Sequence, residues 1–300
     1  MTQASTSLPL VAKLGVFTRD IKISHTVFAL PFALLSTFLA AGGLPPLGKL
    51  GLILLCMIAA RSVAMSANRL LDAQLDALNP RTARRAIPAG VLSRKFYLVI
   101  AMACCIAFIA ATAGFRWAYH NPWPLWLAVP VLAFLCAYPL LKRFTRLCHY
   151  YLGMALGLAP VCAWIAVRGT LNSPPILMGA AVVCWTAGFD IIYACQDYQS
   201  DLATGVVSVP ARLGIARALW VARLTHVCSV AFLIALATAA PQLGIGYRIG
   251  VGIAVLLLIF EHALVRADDL SKVGVAFFTV NGTISLLLGT LGIADVLLHR

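Results

Sequence analysis

The chain has 300 residues, 62% of them hydrophobic and only 11% charged, with a net charge of +13. Soluble domains are roughly a quarter charged and about half apolar, so this balance excludes an ordinary water-soluble fold and makes the bilayer the expected solvent. No basic stripe with interleaved aromatics points to nucleic acid, and the positive charge reads as an orientation signal and an attraction for anionic lipid or substrate.

The first 20 residues lack a cleavable signal pattern and read as a short cytoplasmic arm. Nine apolar stretches follow, roughly at 24–42, 49–68, 96–114, 123–141, 148–168, 175–197, 214–239, 246–265 and 272–298. Each is near the ~20 residues that span ~30 Å of hydrocarbon. A spanning segment must satisfy its own backbone hydrogen bonds. The expected fold class is therefore all-α: an integral membrane protein of about nine transmembrane helices, forming one domain over 1–300. Of the 23 Lys and Arg, 15 fall with the N-terminus and five on the opposite side, while Arg61, Arg69 and Arg223 lie inside spans. That bias predicts a cytoplasmic N-terminus and a C-terminus across the membrane; a bacterial cytoplasmic membrane is the expected location. The nine cysteines form no CxxC and no zinc-type spacing, so they read as small apolar packing residues.

Only ten residues are acidic, and five of them cluster after two spans. Asn68, Asp72 and Asp76 are spaced by four, which places them on one helix face. Asp190, Asp197 and Asp201 are spaced by seven and four, again on one face, with Tyr193 beside them. Loops with arginines follow both groups, "NPRTARRAIPAG" and "TGVVSVPARLG", a weak internal duplication of the kind that often marks a binding site in membrane proteins. Stacked carboxylates near a membrane are unfavourable unless cations neutralise them. An oxygen-only cluster without His or Cys suits Mg²⁺, which completes its octahedron with water and phosphate. The bland reading is a solvated rim in which these acids pair with Arg81, Arg84, Arg85 and Arg212.

"NRLLDAQLDALNPRT" with "RAIPAG", and "DIIYACQDYQSDLATGVVSVPARLG", resemble the two acidic signatures of the UbiA-type membrane prenyltransferases. "SHTVFALPFALL" and "YPLLKRFTRLCHYYLG" resemble the quinone-biosynthesis, 4-hydroxybenzoate polyprenyltransferase-like branch, which includes menaquinone enzymes acting on hydroxylated naphthoates. The resemblance covers essentially the whole chain. It implies nine helices around a central cavity opening to lipid, and Mg²⁺-dependent transfer of a polyprenyl group from polyprenyl diphosphate to an aromatic acid. No protein partner is implied. Asn68, Asp72, Asp76, Asp197 and Asp201 would hold Mg²⁺ and diphosphate. Asp190 is the candidate for orienting the acceptor or receiving its ring proton.

Arg81 and Arg85 fit the basic loop that contacts the diphosphate, and Lys22 could meet either diphosphate or acceptor carboxylate. Lys142 and Arg143 are candidate substrate contacts or topology signals. Tyr193 is a candidate binding residue, His25 and Tyr138 read as packing or interfacial residues with lining of the acceptor site as the alternative, and His149 reads as structural. Two departures stand out: Arg69 replaces an acid common in relatives, and Ala203 and Val207 replace bases. A prenyltransferase for a haem or chlorophyll precursor is the runner-up, and a cation-coupled transporter is the reading from another class.

Overall fold

The computed structural model describes residues 8–298, with the side chains of 23–25, and so that of His25, outside the description. Helix α1 (Leu10–Asp20) covers most of the arm. A 3₁₀ turn (Ile23–Phe28) leads into α2 (Leu30–Ala41), and then α3 (Leu47–Leu78), α4 (Arg94–Tyr119) and α5 (Trp123–Leu141) follow. Next come α6 (Cys148–Arg168), α7 (Ser173–Ala194), a 3₁₀ turn (Cys195–Asp197), α8 (Tyr198–Thr204) and α9 (Val209–Leu213). The chain ends in α10 (Ile215–Ala239), α11 (Ile245–Leu264), the short α12 (Val273–Val275), a π-helical turn (Ala276–Val280) and α13 (Asn281–Leu298).

Among the described residues, eight helical segments are long and apolar enough to cross a membrane, and Thr26–Ala41 is a shorter apolar ninth. The expectation of about nine therefore matches if that short segment is counted. Helices α3, α4 and α5 pack on one another, and α5, α6, α7, α10, α11 and α13 follow in sequence. Helix α2 lies between α6 and α13.

Two boundaries differ from the hydropathy reading, each for a physical reason. Helix α3 has 32 residues, about 48 Å at 1.5 Å per residue, well beyond the ~30 Å hydrocarbon core. Hydropathy fades at residue 68, but the helix continues to Leu78 and carries Asn68, Asp72 and Asp76 on its polar extension. The second acidic segment is not one continuous helix: the 3₁₀ turn at Cys195–Asp197 divides Asp190 from Asp201.

The crossing of α6 and α7 is tight. A Cβ on Gly153 would strike the Val183 carbonyl, and one on Gly157 would lie 2.7 Å from the Gly179 oxygen. This small-residue spacing lets backbones approach without a side chain between them. The same antiparallel register carries His149, one turn before Gly153, toward Asp190. Farther along, Trp185 Nε1 donates to Asn281, whose amide donates to Glu261 and to the Ala276 carbonyl. That network brackets the π turn, which brings Phe277 to within 4.2 Å of the Tyr193 ring.

Candidate active site

The two acidic segments meet in one polar cavity. It is lined by Asn68, Asp72 and Asp76 from α3, and by Asp190, Tyr193, Asp197 and Asp201 from the second segment. Lys22, Arg69, Arg81, Arg85, Lys142, Tyr138, His149 and Phe277 complete the charged and aromatic wall.

Each of three acids has a cation within hydrogen-bond distance. Lys142 Nζ lies 2.6 Å from Asp72, Arg85 Nη1 donates to both oxygens of Asp76, and Arg81 grips Asp197 through Nε and Nη2. Asn79, on the turn after α3, also donates to Asp197 at 2.8 Å. The Arg81 and Arg85 pairs of the rim reading do form, but the side chains of Asp72 and Asp76 are only 0% and 7% exposed, so the arrangement is not a solvated rim. Buried pairs of this kind hold charge in place at a desolvation cost and are weak sources of net stability.

The Arg81 guanidinium stacks over the Tyr193 ring and donates to its hydroxyl at 3.0 Å. Burial alone would lower the Arg81 pKa, but the Asp197 carboxylate more than offsets it and the net direction is upward. The Lys22 ammonium is pushed down by desolvation and then by the guanidiniums of Arg81, Arg85 and Arg69. Lys22 itself sits at φ 49°, a left-handed conformation uncommon for a residue with a Cβ, and its carbonyl accepts from Arg61. Arg143 does not line the cavity: it donates to the Leu71 carbonyl and reaches Asp72 only at 3.9 Å.

Asn68 and Arg69 act together. Arg69 Nη1 donates to the Asn68 oxygen at 2.6 Å, which turns the Asn68 amide nitrogen toward Asp72 at 2.8 Å. Neither Ala203 nor Val207 lines the cavity. Val207 instead bonds through its backbone, donating to the Lys142 carbonyl at 2.7 Å. Ser208 donates to Asp201 at 2.7 Å. The strap 206–209 is thus stitched to the α5–α6 junction, which places Lys142 opposite Asp72.

His149, expected to be structural, lines the cavity. Its Nδ1 lies 2.7 Å from Asp190, and it shares the cavity with all five acids. Tyr138 also lines the cavity rather than an interface. His149, Asn79, Ser208 and Phe277 are missed by a reading that follows acidic motifs, because their roles depend on which loops meet.

A second cavity adjoins the first and is almost wholly apolar. Ile53, Met57, Phe108, Phe115, Val131 and Leu135 are among its walls, and Met65, Asn68, Tyr138 and Leu152 line both cavities. One charge intrudes: Arg61 lines the apolar cavity, and its Nε is buried without a hydrogen-bond partner. An unmet guanidinium donor in such a wall is costly unless a ligand supplies the acceptor.

A family model described as the UbiA prenyltransferase family matches residues 29–283. The chain belongs to the UbiA prenyltransferase family. This UbiA-family enzyme is accordingly an integral membrane prenyltransferase. It is 33% identical over 208 residues to a 4-hydroxybenzoate solanesyltransferase of Synechocystis, covering 69% of this chain and 70% of that one. The apo structure of a UbiA homologue from Aeropyrum pernix superposes with a TM-score of 0.81 at 30% identity, covering 91% and 98% of the two chains. A UbiA homologue from Archaeoglobus fulgidus bound to DMAPP and Mg²⁺ shares the fold, with a TM-score of 0.70 at 20% identity and coverage of 93% and 98%.

Proposed function

We propose that this UbiA-family enzyme transfers a polyprenyl group from polyprenyl diphosphate to an aromatic acid, 4-hydroxybenzoate or a hydroxylated naphthoate, in ubiquinone or menaquinone biosynthesis. The carrying observation is the junction of the two cavities, with charge for a diphosphate on one side, an apolar channel on the other, and Arg61 beside the neck. The Synechocystis relative is named for 4-hydroxybenzoate and a long prenyl chain, and the Archaeoglobus homologue holds a prenyl diphosphate with Mg²⁺.

The donor set fits Mg²⁺. It is all oxygen, and Asp72 Oδ1 is buried with no hydrogen-bond partner. Among the described residues no three His, Cys, Asp or Glu gather into a protein-only cage. Mg²⁺ needs none, because it commonly takes one or two carboxylates and fills the rest with water and phosphate. Asp72, Asp76, Asp197 and Asp201 would hold it, with Asn68 orienting Asp72. Bound there, Mg²⁺ would offset the charge of the departing diphosphate.

The chain's own residues supply the remainder. Arg81, Arg85, Lys142 and Lys22 bind the diphosphate oxygens and stabilise the charge that develops as the allylic C–O bond breaks. The apolar channel seats the prenyl tail and keeps water from the allyl cation. Arg61 binds the acceptor carboxylate, and Tyr138 and Phe277 flank the ring. The ring carbon ortho to the phenol attacks, and Asp190 receives the ring proton. The basic bias supports a site at the cytoplasmic face, with the N-terminus inside and the C-terminus across the membrane.

The test uses purified protein with Mg²⁺, a polyprenyl diphosphate and 4-hydroxybenzoate, with diphosphate release and prenylated product measured together. Prenylated acid is the expected product. Arg61→Leu should raise KM for the acid and leave KM for the prenyl diphosphate unchanged. No product with either 4-hydroxybenzoate or a hydroxynaphthoate overturns the assignment.

A further inference from the structure

We propose that His149 is a positioning residue for the transfer, acting through Asp190: it holds that carboxylate ionised and fixed, with its second oxygen directed into the cavity to take the proton of the acceptor ring. The inference deepens the reading above and rests on a phenolic ring being the acceptor.

The hydrogen bonds at the imidazole point to one tautomer. The Val209 backbone N–H donates to His149 Nε2 at 3.2 Å. An amide N–H is only a donor, so Nε2 carries a lone pair and not a proton. The single proton of a neutral ring is then on Nδ1, from which it is donated to Asp190 Oδ2 at 2.7 Å. A doubly protonated ring would set two N–H groups against each other at Val209.

Three parts of the fold hold this geometry. The glycine crossing of α6 and α7 brings His149 to Asp190. The strap supplies Val209, and is itself pinned by Val207 N–H to the Lys142 carbonyl and by Cys148 Sγ to the Val207 carbonyl at 3.7 Å. His149 is only 3% exposed, so the ring cannot turn freely. The Asp190 side chain retains 18% exposure and lines the cavity.

This arrangement assigns the proton's route. The allylic carbon bonds to the ring carbon as diphosphate leaves with its electron pair. The ring C–H bond then breaks, its electrons restore the aromatic ring, and the proton passes to Asp190. His149 does not relay it, since Nδ1 already bears hydrogen and Nε2 is covered by Val209. Its contribution is orientation and a donated hydrogen bond that favours the ionised carboxylate.

Two measurements test this on the full chain in detergent. Nitrogen NMR of ¹⁵N-histidine-labelled protein, assigned by loss of signal in His149→Asn, should show a neutral Nδ1–H tautomer whose shifts change in Asp190→Asn. Turnover with 4-hydroxybenzoate is then compared with its 3,5-dideuterated form. His149→Ala should lower kcat by roughly 10- to 100-fold, the usual loss for an outer partner that orients a functional group. It should also expose a primary isotope effect that wild type lacks, with KM for prenyl diphosphate unchanged. His149→Asn, whose amide N–H lies near Nδ1, should restore most of kcat. An imidazolium or Nε2–H tautomer, wild-type kcat in His149→Ala, or a loss that has no isotope effect and no rescue would each overturn the proposal. If wild type fails to prenylate the acid, the acceptor assignment falls, while the nitrogen spectra still decide the His149–Asp190 bond.

Discussion

The Arg69 guanidinium lies against the Asp20 carboxylate, Nε to Oδ2 at 2.9 Å, with the two side chains 2% and 9% exposed. Arg69 Nη2 also donates to the Asp20 carbonyl, and the same carboxylate accepts from the Tyr97 hydroxyl and the Ala86 amide. One acid thus ties α1 to α3, to α4 and to the loop that carries Arg81 and Arg85. An aspartate at position 69 would face Asp20 with like charge. Arg69 is the complement of Asp20 in this chain.

Removing Arg69 should therefore be costly to folding. Arg69→Met leaves the Asp20 charge buried and unpaired, an effect of ~3–5 kcal/mol. The double variant Asp20→Asn/Arg69→Met should recover much of that loss. Thermal unfolding in one detergent gives the cycle; a loss in the double variant equal to the sum of the two single losses would show that the pair is not coupled.

The same acid sets a pH dependence. Burial alone would raise the Asp20 pKa, but the Tyr97 hydroxyl, the Ala86 amide and the Arg69 guanidinium together bring it below its ordinary 3.8. A depressed carboxylate contributes fully above its unfolded value and loses that contribution as pH falls through the lower folded value. The stability gap between wild type and Asp20→Asn should be constant above about pH 5 and shrink below about pH 4. A gap that widens on acidification contradicts this.

The acids of the cavity should be indispensable to turnover and dispensable to insertion. Asp76→Ala and Asp197→Ala are each expected to abolish prenyl transfer while the protein still purifies as a folded species. EDTA should stop the wild-type reaction and Mg²⁺ restore it. Wild-type rates in both variants would remove the metal–diphosphate assignment.

Lys142 should act on the diphosphate and not on the acceptor. Lys142→Met leaves Asp72 without its 2.6 Å partner. It should lower kcat/KM for the prenyl diphosphate by about 10- to 100-fold, or ~1.4–2.7 kcal/mol. Arg143→Met, at 3.9 Å and 42% exposed, should change it little. Equal effects of the two substitutions would mean that both side chains serve orientation alone.

Much of this was legible in the residues. The spacing of Asn68, Asp72 and Asp76 fixes one helical face, and the structure keeps it because α3 runs on past the bilayer. Composition revealed the solvent, since only lipid accommodates so many apolar side chains. What was not legible depends on which loops touch. Nothing local to "VVSVP" or "CHYY" says that Val209 will cover His149, and the 3₁₀ turn at Cys195–Asp197 leaves no mark on hydropathy. Arg69 looked anomalous because its partner lies 49 positions away, on a helix outside the apolar pattern.

The narrow wall common to the two cavities, formed by Met65, Asn68, Tyr138 and Leu152, has a consequence for how such an enzyme can diversify. On the proposed function, head-group chemistry and tail accommodation occupy adjoining compartments that share four side chains. Substitutions around Phe108 or Phe115 can retune which lipid is made without disturbing a single ionised residue. A lineage could change the length of the prenyl chain it transfers while its bond-forming machinery stays constant.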